Sequence, residues 1–192
     1  MDIQLVRPSI GHKEQVLEFK QEFFNAGEYV INGSGLLDKM DVYEDWIEMV
    51  SKNANPETVN PEWVLTDTFL ALDDNKMIGI IDLRYELKGF LVDFGNCGYS
   101  VRPSERRKGY ATKMLEKLLT VAWANGMKEL HLSVERSNEP SLKTIIRNNG
   151  VYERSFEHEG EMADIYVITN AKESVLDLFI SDRRVTNHET GD

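Results

Sequence analysis

The sequence predicts one mixed α/β (α+β) domain: a mostly antiparallel central sheet with one parallel strand pair, flanked by about four helices. Three observations carry this expectation. Two β-rich runs, WVLTDTFLAL and MIGIIDLRYEL, stand on either side of the turn DDNK, as an antiparallel hairpin requires. A strongly amphipathic stretch separates two further strand-like segments, and the right-handed crossover this order implies sets those strands parallel. A chain of 192 residues, 41% hydrophobic and 29% charged, suffices for one sizeable core and is short for two.

In chain order, IQLVRPS alternates weakly and stops at Pro8, as a first strand would. From His12 to Asn25, Val16, Phe19, Phe23 and Phe24 recur at helical spacing, and Gly27 follows as the stop. INGSGLLDK is glycine-rich and reads as a loop. Val42, Trp46, Ile47 and Val50 then mark a second helix that Asn53, Asn55 and Pro56 end. The hairpin comes next, and a third strand is expected from Phe94 to Arg102. Between Thr112 and Trp123, Met114, Leu115, Leu118, Leu119 and Ala122 form one stripe opposite Lys113, Glu116 and Lys117, and Asn125-Gly126 closes the helix. Leu130, Leu132 and Val134 alternate with His131, Ser133 and Glu135 as a strand, and a short helix from Ser141 to Arg147 stops at Asn148-Asn149-Gly150. Strands near Val151 to Phe156 and Ile165 to Thr169 complete a domain of residues 1–170. The tail 171–192 has enough apolar residues, from Val175 to Ile180, to dock a short helix before it frays.

Charge narrows the function. Lys and Arg number 22 against 33 Asp and Glu, a net charge of -11 that repels polyanions and argues against nucleic acid. A cationic partner suits it, although solubility alone would also account for it. No apolar run reaches the ~18 residues of a membrane span, and the first residues lack the basic and apolar regions of a signal peptide, so a cytoplasmic protein is expected. Cys97, the single cysteine, has no CxxC or histidine-rich partner, so no metal site is indicated. A homodimer is left open.

One stretch runs against the acidity. VRPSERRKGYATKML, from Val101, carries five basic residues and one acid between an expected strand and an expected helix. Helix starts leave N–H groups unpaired and partially positive; with a glycine at the approach they bind phosphate. A solvated basic turn would have the same composition. The residues Arg106-Arg107-Lys108-Gly109-Tyr110-Ala111 resemble the acetyl-CoA-binding motif of the GCN5-related N-acetyltransferase (GNAT) family, Gln/Arg followed by two residues, Gly, any residue and Gly/Ala. Gly98 to Pro103 is similar to the strand that precedes that motif, and Leu132-Ser133-Val134 with Asn138, Ser141 and Asn149-Gly150 is similar to the family's second cofactor-side signature. The similarity spans roughly Glu62 to Tyr166. A weaker likeness of INGSGLLDK and the following helix points to a bacterial subgroup of predicted acetyltransferases.

The resemblance implies acetyl-CoA as cosubstrate, with the backbone of Arg107, Lys108, Gly109, Tyr110, Ala111 and Thr112 on its pyrophosphate and Arg106 beside them. It implies that Tyr99, Ser100 and Val101 run along the pantetheine arm, and that Asn138 and Ser141 hold the same arm. The acceptor is then a small amine or a basic side chain, acetylated directly in a cleft walled by the first two helices and the INGSGLLDK loop. Such a reaction needs a base, for which Asp93 is the first candidate and Glu86 the second; both are also ordinary surface acids. The family's usual acid, a tyrosine, falls at Ile145, so water or another acid would serve as the donor; Tyr152 and Ser141 are candidates that read better as structural residues. Cys97 and His131 read as packing or hydrogen-bonded residues rather than a nucleophile and a base, and Tyr43, Trp46 and Trp63 as core before substrate pocket. The competing class is a catalytically weak acyl-CoA sensor or interaction module.

Overall fold

The hairpin implied by the two β-rich runs is the middle of the structure. In a computed structural model of the chain, which describes residues 2–171, the strands are β1 (Gln4–Val6), β2 (Thr66–Asp73), β3 (Lys76–Arg84), β4 (Tyr99–Val101), β5 (Glu129–Glu135), β6 (Val151–His158) and β7 (Glu161–Thr169). They form two antiparallel sheets, ordered β1-β2-β3-β4 and β5-β7-β6. The helices among the described residues are α1 (Lys13–Asn25), α2 (Tyr43–Asn53), α3 (Leu91–Phe94), α4 (Tyr110–Ala124) and α5 (Glu139–Arg147). None of them is long and apolar enough to cross a membrane. The short helix expected beyond residue 171 lies outside the described residues.

Helices cover both faces of the first sheet, which explains why β2 and β3 read as nearly continuous apolar runs rather than alternating ones. Leu70, Met77 and Ile80 pack against Val16, Phe19 and Phe23 of α1 and Trp46 of α2. Phe69, Ala71, Ile81 and Leu83 pack on the opposite side against Met114, Leu115 and Leu118 of α4. The pairing steps from Ala71↔Gly79 to Leu72↔Met77, so Ile78 is a bulged residue, and its side chain joins the α4 side. Each fully buried side chain of this kind contributes about 1.5–3 kcal/mol. Trp46, fully buried, donates its Nε1 hydrogen to the Ser34 carbonyl at 2.8 Å and so pins the INGSGLLDK loop to the core.

Two expectations are corrected. Phe94, expected to open the third strand, instead closes α3, and β4 has only three residues. The parallel ladder expected between β4 and β5 does not form: every ladder among the described residues is antiparallel, and the two segments meet only at an isolated bridge, Gly95 with Leu132. The cause lies in the lead-in Gly95-Asn96-Cys97-Gly98. Gly95 has a φ of 77°, which turns the chain out of a strand path. β3 keeps backbone bonds to this lead-in, from the Asp82 amide to the Gly98 carbonyl (3.1 Å) and from the Arg84 amide to the Asn96 carbonyl (2.7 Å), and side chains reinforce them. Asp82 Oδ1 accepts from the Gly98 amide (2.6 Å), Arg84 donates to the Gly95 carbonyl (3.0 Å), and Asn96 bridges the Arg84 carbonyl (2.9 Å) and the His131 amide (2.8 Å). Beyond this knot the strands part, and the site lies between them.

Candidate active site

A groove of about 1050 Å³ occupies the gap between the two sheets. One end is the start of α4. Gly109 caps that helix with φ 86°, a left-handed conformation that costs an L-residue about 1–2 kcal/mol. An added Cβ there would meet nothing within 4 Å, so the space above the turn is open. The peptide N–H groups from Arg107 to Thr112 have no acceptor among the described residues. Six consecutive unpaired donors at a helix start form an anion-binding surface.

The basic side chains of the turn divide unexpectedly. Arg106 forks onto Glu28 at 2.6 and 2.7 Å, lies over the Phe23 ring, and donates its Nε hydrogen to the Val101 carbonyl. That pair raises the pKa of Arg106 and holds Glu28 below the usual carboxylate range. Lys108 does not line the groove but reaches Glu105, which does and which also holds Lys76, and hydrogen bonds from the two ammonium groups bring the Glu105 carboxyl down to about 2. Only Arg107 of the three lines the groove without an ion-pair partner among the described residues. Tyr110 turns into the core, where its hydroxyl donates to Asp73 and its pKa rises to about 12, chiefly through that bond. Tyr110 therefore offers the groove its backbone. Ala111 and Thr112 line the wall with small side chains.

The middle of the groove follows from strand parity. Gly98 and Arg102 exchange hydrogen bonds with β3 and Ser100 stands opposite Ile80, so the N–H and C=O groups of Tyr99 and Val101 point the other way, into the gap. Ser100 is correspondingly occupied: its backbone faces β3, and its hydroxyl donates to the Asn32 carbonyl at 2.9 Å. Asn138 caps α5 by accepting from the Ser141 amide at 3.1 Å. The Ser141 hydroxyl meets the Tyr99 hydroxyl at 2.5 Å. Burial raises the Tyr99 pKa, against the opposing effect of Ser141.

The wall opposite comes from the chain after α1. Gly33, at φ 73°, lies so close to Gly98 that a Cβ would stand 2.1 Å from the Gly98 carbonyl oxygen. Val30, Asn32 and Gly33 line the groove, whereas α2 does not, which corrects the expectation that both leading helices wall the cleft. Trp46 and Tyr43 are core, and Trp63 lies in a separate surface hollow beside α2.

Neither candidate base lines the groove. Asp93, on α3, is ion-paired to Arg154 at 2.8 Å, and Glu86 is exposed and paired to Lys88 at 2.6 Å. Cys97 lines it but is buried; burial and then the nearby Asp82 push its thiol pKa up, the wrong direction for a nucleophile. His131 stands outside, between Glu129 and Glu153. Ile145 is fully buried in the core, and Tyr152 outside the groove bonds Ser155. Sequence reasoning missed Asp82, Arg84 and Asn96, the knot at which the strands part. The available signal was an Asp-x-Arg pair inside an otherwise apolar strand. Glu28 and Glu105 carried no such signal.

Comparisons agree with this geometry. A family model described as the acetyltransferase (GNAT) family matches residues 39–150. Among solved structures, a RimL ribosomal L7/L12 alpha-N-protein acetyltransferase in complex with coenzyme A is 15% identical with a TM-score of 0.65, over 87% of this chain and 93% of the other. MccE, a microcin C7 self-immunity acetyltransferase in complex with acetyl-CoA and AMP, is 17% identical with a TM-score of 0.65, over 88% and 93%. A mutant form of the spermidine/spermine N-acetyltransferase SpeG from Vibrio cholerae is 14% identical with a TM-score of 0.62, over 91% and 98%. At such identities the likeness is one of fold. Comparison with curated protein sequences finds no match.

Proposed function

Because the chain belongs to the acetyltransferase (GNAT) family, we propose that it moves the acetyl group of acetyl-CoA directly onto a primary amine of a small molecule or basic side chain. The observation that carries this reading is the run of unpaired amides from Arg107 to Thr112 at the open turn of Gly109. They fit a diphosphate, with Arg107 as the free cation and Arg106 and Lys108 acting through the turn's shape. The outward-facing groups of Tyr99 and Val101 supply the edge on which an amide-bearing pantetheine arm pairs. When bound, acetyl-CoA supplies a thioester whose carbonyl carbon accepts an amine and whose sulfur leaves.

The chain's own residues do the rest. The Val101 N–H, unpaired and facing the gap, is a donor for the oxygen on which charge develops. The hydroxyl pair of Tyr99 and Ser141 replaces the acid that Ile145 cannot provide: a tyrosine is protonated at neutral pH, and burial of Tyr99 raises its pKa further. Tyr99→Phe should lower kcat on the order of 10²-fold with the Kd for CoA unchanged; an unchanged kcat would remove Tyr99 from this role.

Calorimetry with acetyl-CoA, followed by CoA release with an amine, tests the whole reading. Gly109→Glu places bulk and negative charge over the amides and should abolish binding while the fold persists. Full affinity in that variant would contradict the cradle. Binding without turnover across amines would favour the sensor alternative.

A further inference from the structure

The end of the groove away from the phosphate turn is aromatic. Phe94, the last residue of α3, meets the His158 ring edge-on, with centroids 4.9 Å apart at 88°, and the Phe156 ring at 6.3 Å and 71°. All three line the groove, beside Leu132, Ala163 and Glu161. Phe94 immediately precedes Gly95, whose bridge to Leu132 closes the gap between β4 and β5. Phe156 pairs with Ala163, which pairs with Glu135, so the cluster lies level with the end of β5, and Phe94 reaches it from α3.

Charge also distinguishes this end. Near the phosphate turn, Glu28 is tied to Arg106, Glu105 to Lys76 and Lys108, and Glu139 to Lys143. Glu161, at the tip of the β6-β7 hairpin, has no ion-pair partner among the described residues. His158 has Glu159 at 4.0 Å and stands opposite Glu161 in the β6-β7 register. Among the described residues, His158 is the histidine that lines the groove.

We propose that this end is the acceptor subsite, that it takes a primary amine carried on an apolar or aromatic group, and that His158 receives the proton the amine loses. The proposal rests on the acetyl-transfer reading and names its substrate class. The Phe156 ring already carries the Arg154 guanidinium, 6.0 Å from its centroid and paired to Asp93, so the aromatic wall takes the apolar carrier group out of water, and Glu161 draws positive charge to the rim. The ammonium first gives one proton to solvent, and the neutral amine reacts. Its lone pair forms the C–N bond, the C–S bond breaks with its electrons on sulfur, and the N–H proton passes to the imidazole and then to solvent. The sulfur takes its proton from the Tyr99–Ser141 pair, which solvent recharges.

The test compares 2-phenylethylamine with spermidine and with a peptide bearing an N-terminal serine. kcat/KM should favour phenylethylamine by about tenfold or more. Phe156→Ala should weaken phenylethylamine about tenfold, both in KM and in calorimetric Kd on protein loaded with CoA, with the Kd for CoA itself unchanged. His158→Gln should lower kcat on the order of 10²-fold and leave both dissociation constants within about twofold. Unchanged CoA affinity in either variant shows that the fold survives. Preference for spermidine or the peptide, an unmoved amine Kd in Phe156→Ala, or full kcat in His158→Gln would each overturn the proposal. Failure of the wild-type protein to bind acetyl-CoA would instead sink the acetyl-transfer reading beneath it.

Discussion

Glu105 shows how one side chain can redirect a motif. It is nearly buried, and it holds Lys76 at 2.5 Å and Lys108 at 2.7 Å, so one cation of the basic run is structural. Its folded pKa, about 2, lies below the unfolded value near 4.5. The sign follows: these pairs contribute stability above the unfolded value, and it is lost as pH falls from about 4.5 toward 2. Glu105→Gln should flatten the pH dependence of urea stability across that window, and an unaltered slope would show the pairs to be inert. The Glu28–Arg106 pair is about two-fifths exposed on each side, so its own contribution to stability is small. Its effect is geometric, since it ties the chain after α1 to the phosphate turn.

At the scale of elements, the site exists because β4 and β5 fail to pair. Parallel strands joined by a helix normally continue as neighbours in one sheet. Here Asp82 and Arg84 fasten the lead-in of β4 to β3, and Asn96 holds it to β5 at His131. Burial raises the Asp82 pKa, and Arg84 and the Gly98 amide oppose that rise. Asn96→Ala would leave the Arg84 carbonyl and the His131 amide unpaired, at about 1–3 kcal/mol each. Denaturant unfolding should therefore show a loss of about 2–6 kcal/mol. A loss under about 0.5 kcal/mol would mean that water or the backbone compensates.

The whole molecule places helices on both faces of the first sheet and the groove beside it. Trp46 belongs to the core of α1 and α2 and also holds the loop that walls the groove through Ser34. Trp46→Ala should cost about 3–5 kcal/mol in unfolding free energy, and the loss of its anchor should weaken amine binding more than CoA binding. Equal weakening of both ligands would show general unfolding instead. The net charge of -11 surrounds a turn whose free donors among the described residues are mainly amides, so the diphosphate proposed there would be held by short-range hydrogen bonds within an unfavourable long-range field.

Much of this was legible in the residues. Apolar spacing located α1, α2, α4 and the central hairpin, because periodicity is a local property of burial. Gly109 marked the phosphate turn because a left-handed helix start restricts the residue type there, independent of distant contacts. The sequence by itself thus located the main helices and the central hairpin and singled out the basic turn before α4. Tertiary structure alone decided that Arg106 and Lys108 bind Glu28 and Glu105, that Asp93 and Glu86 stand outside the groove, and that Phe94, Phe156 and His158 meet at its far end. The physical reason is that side chains distant along the chain become partners only when packing brings their elements together, and no local pattern of hydrophobicity or charge encodes which ones will meet.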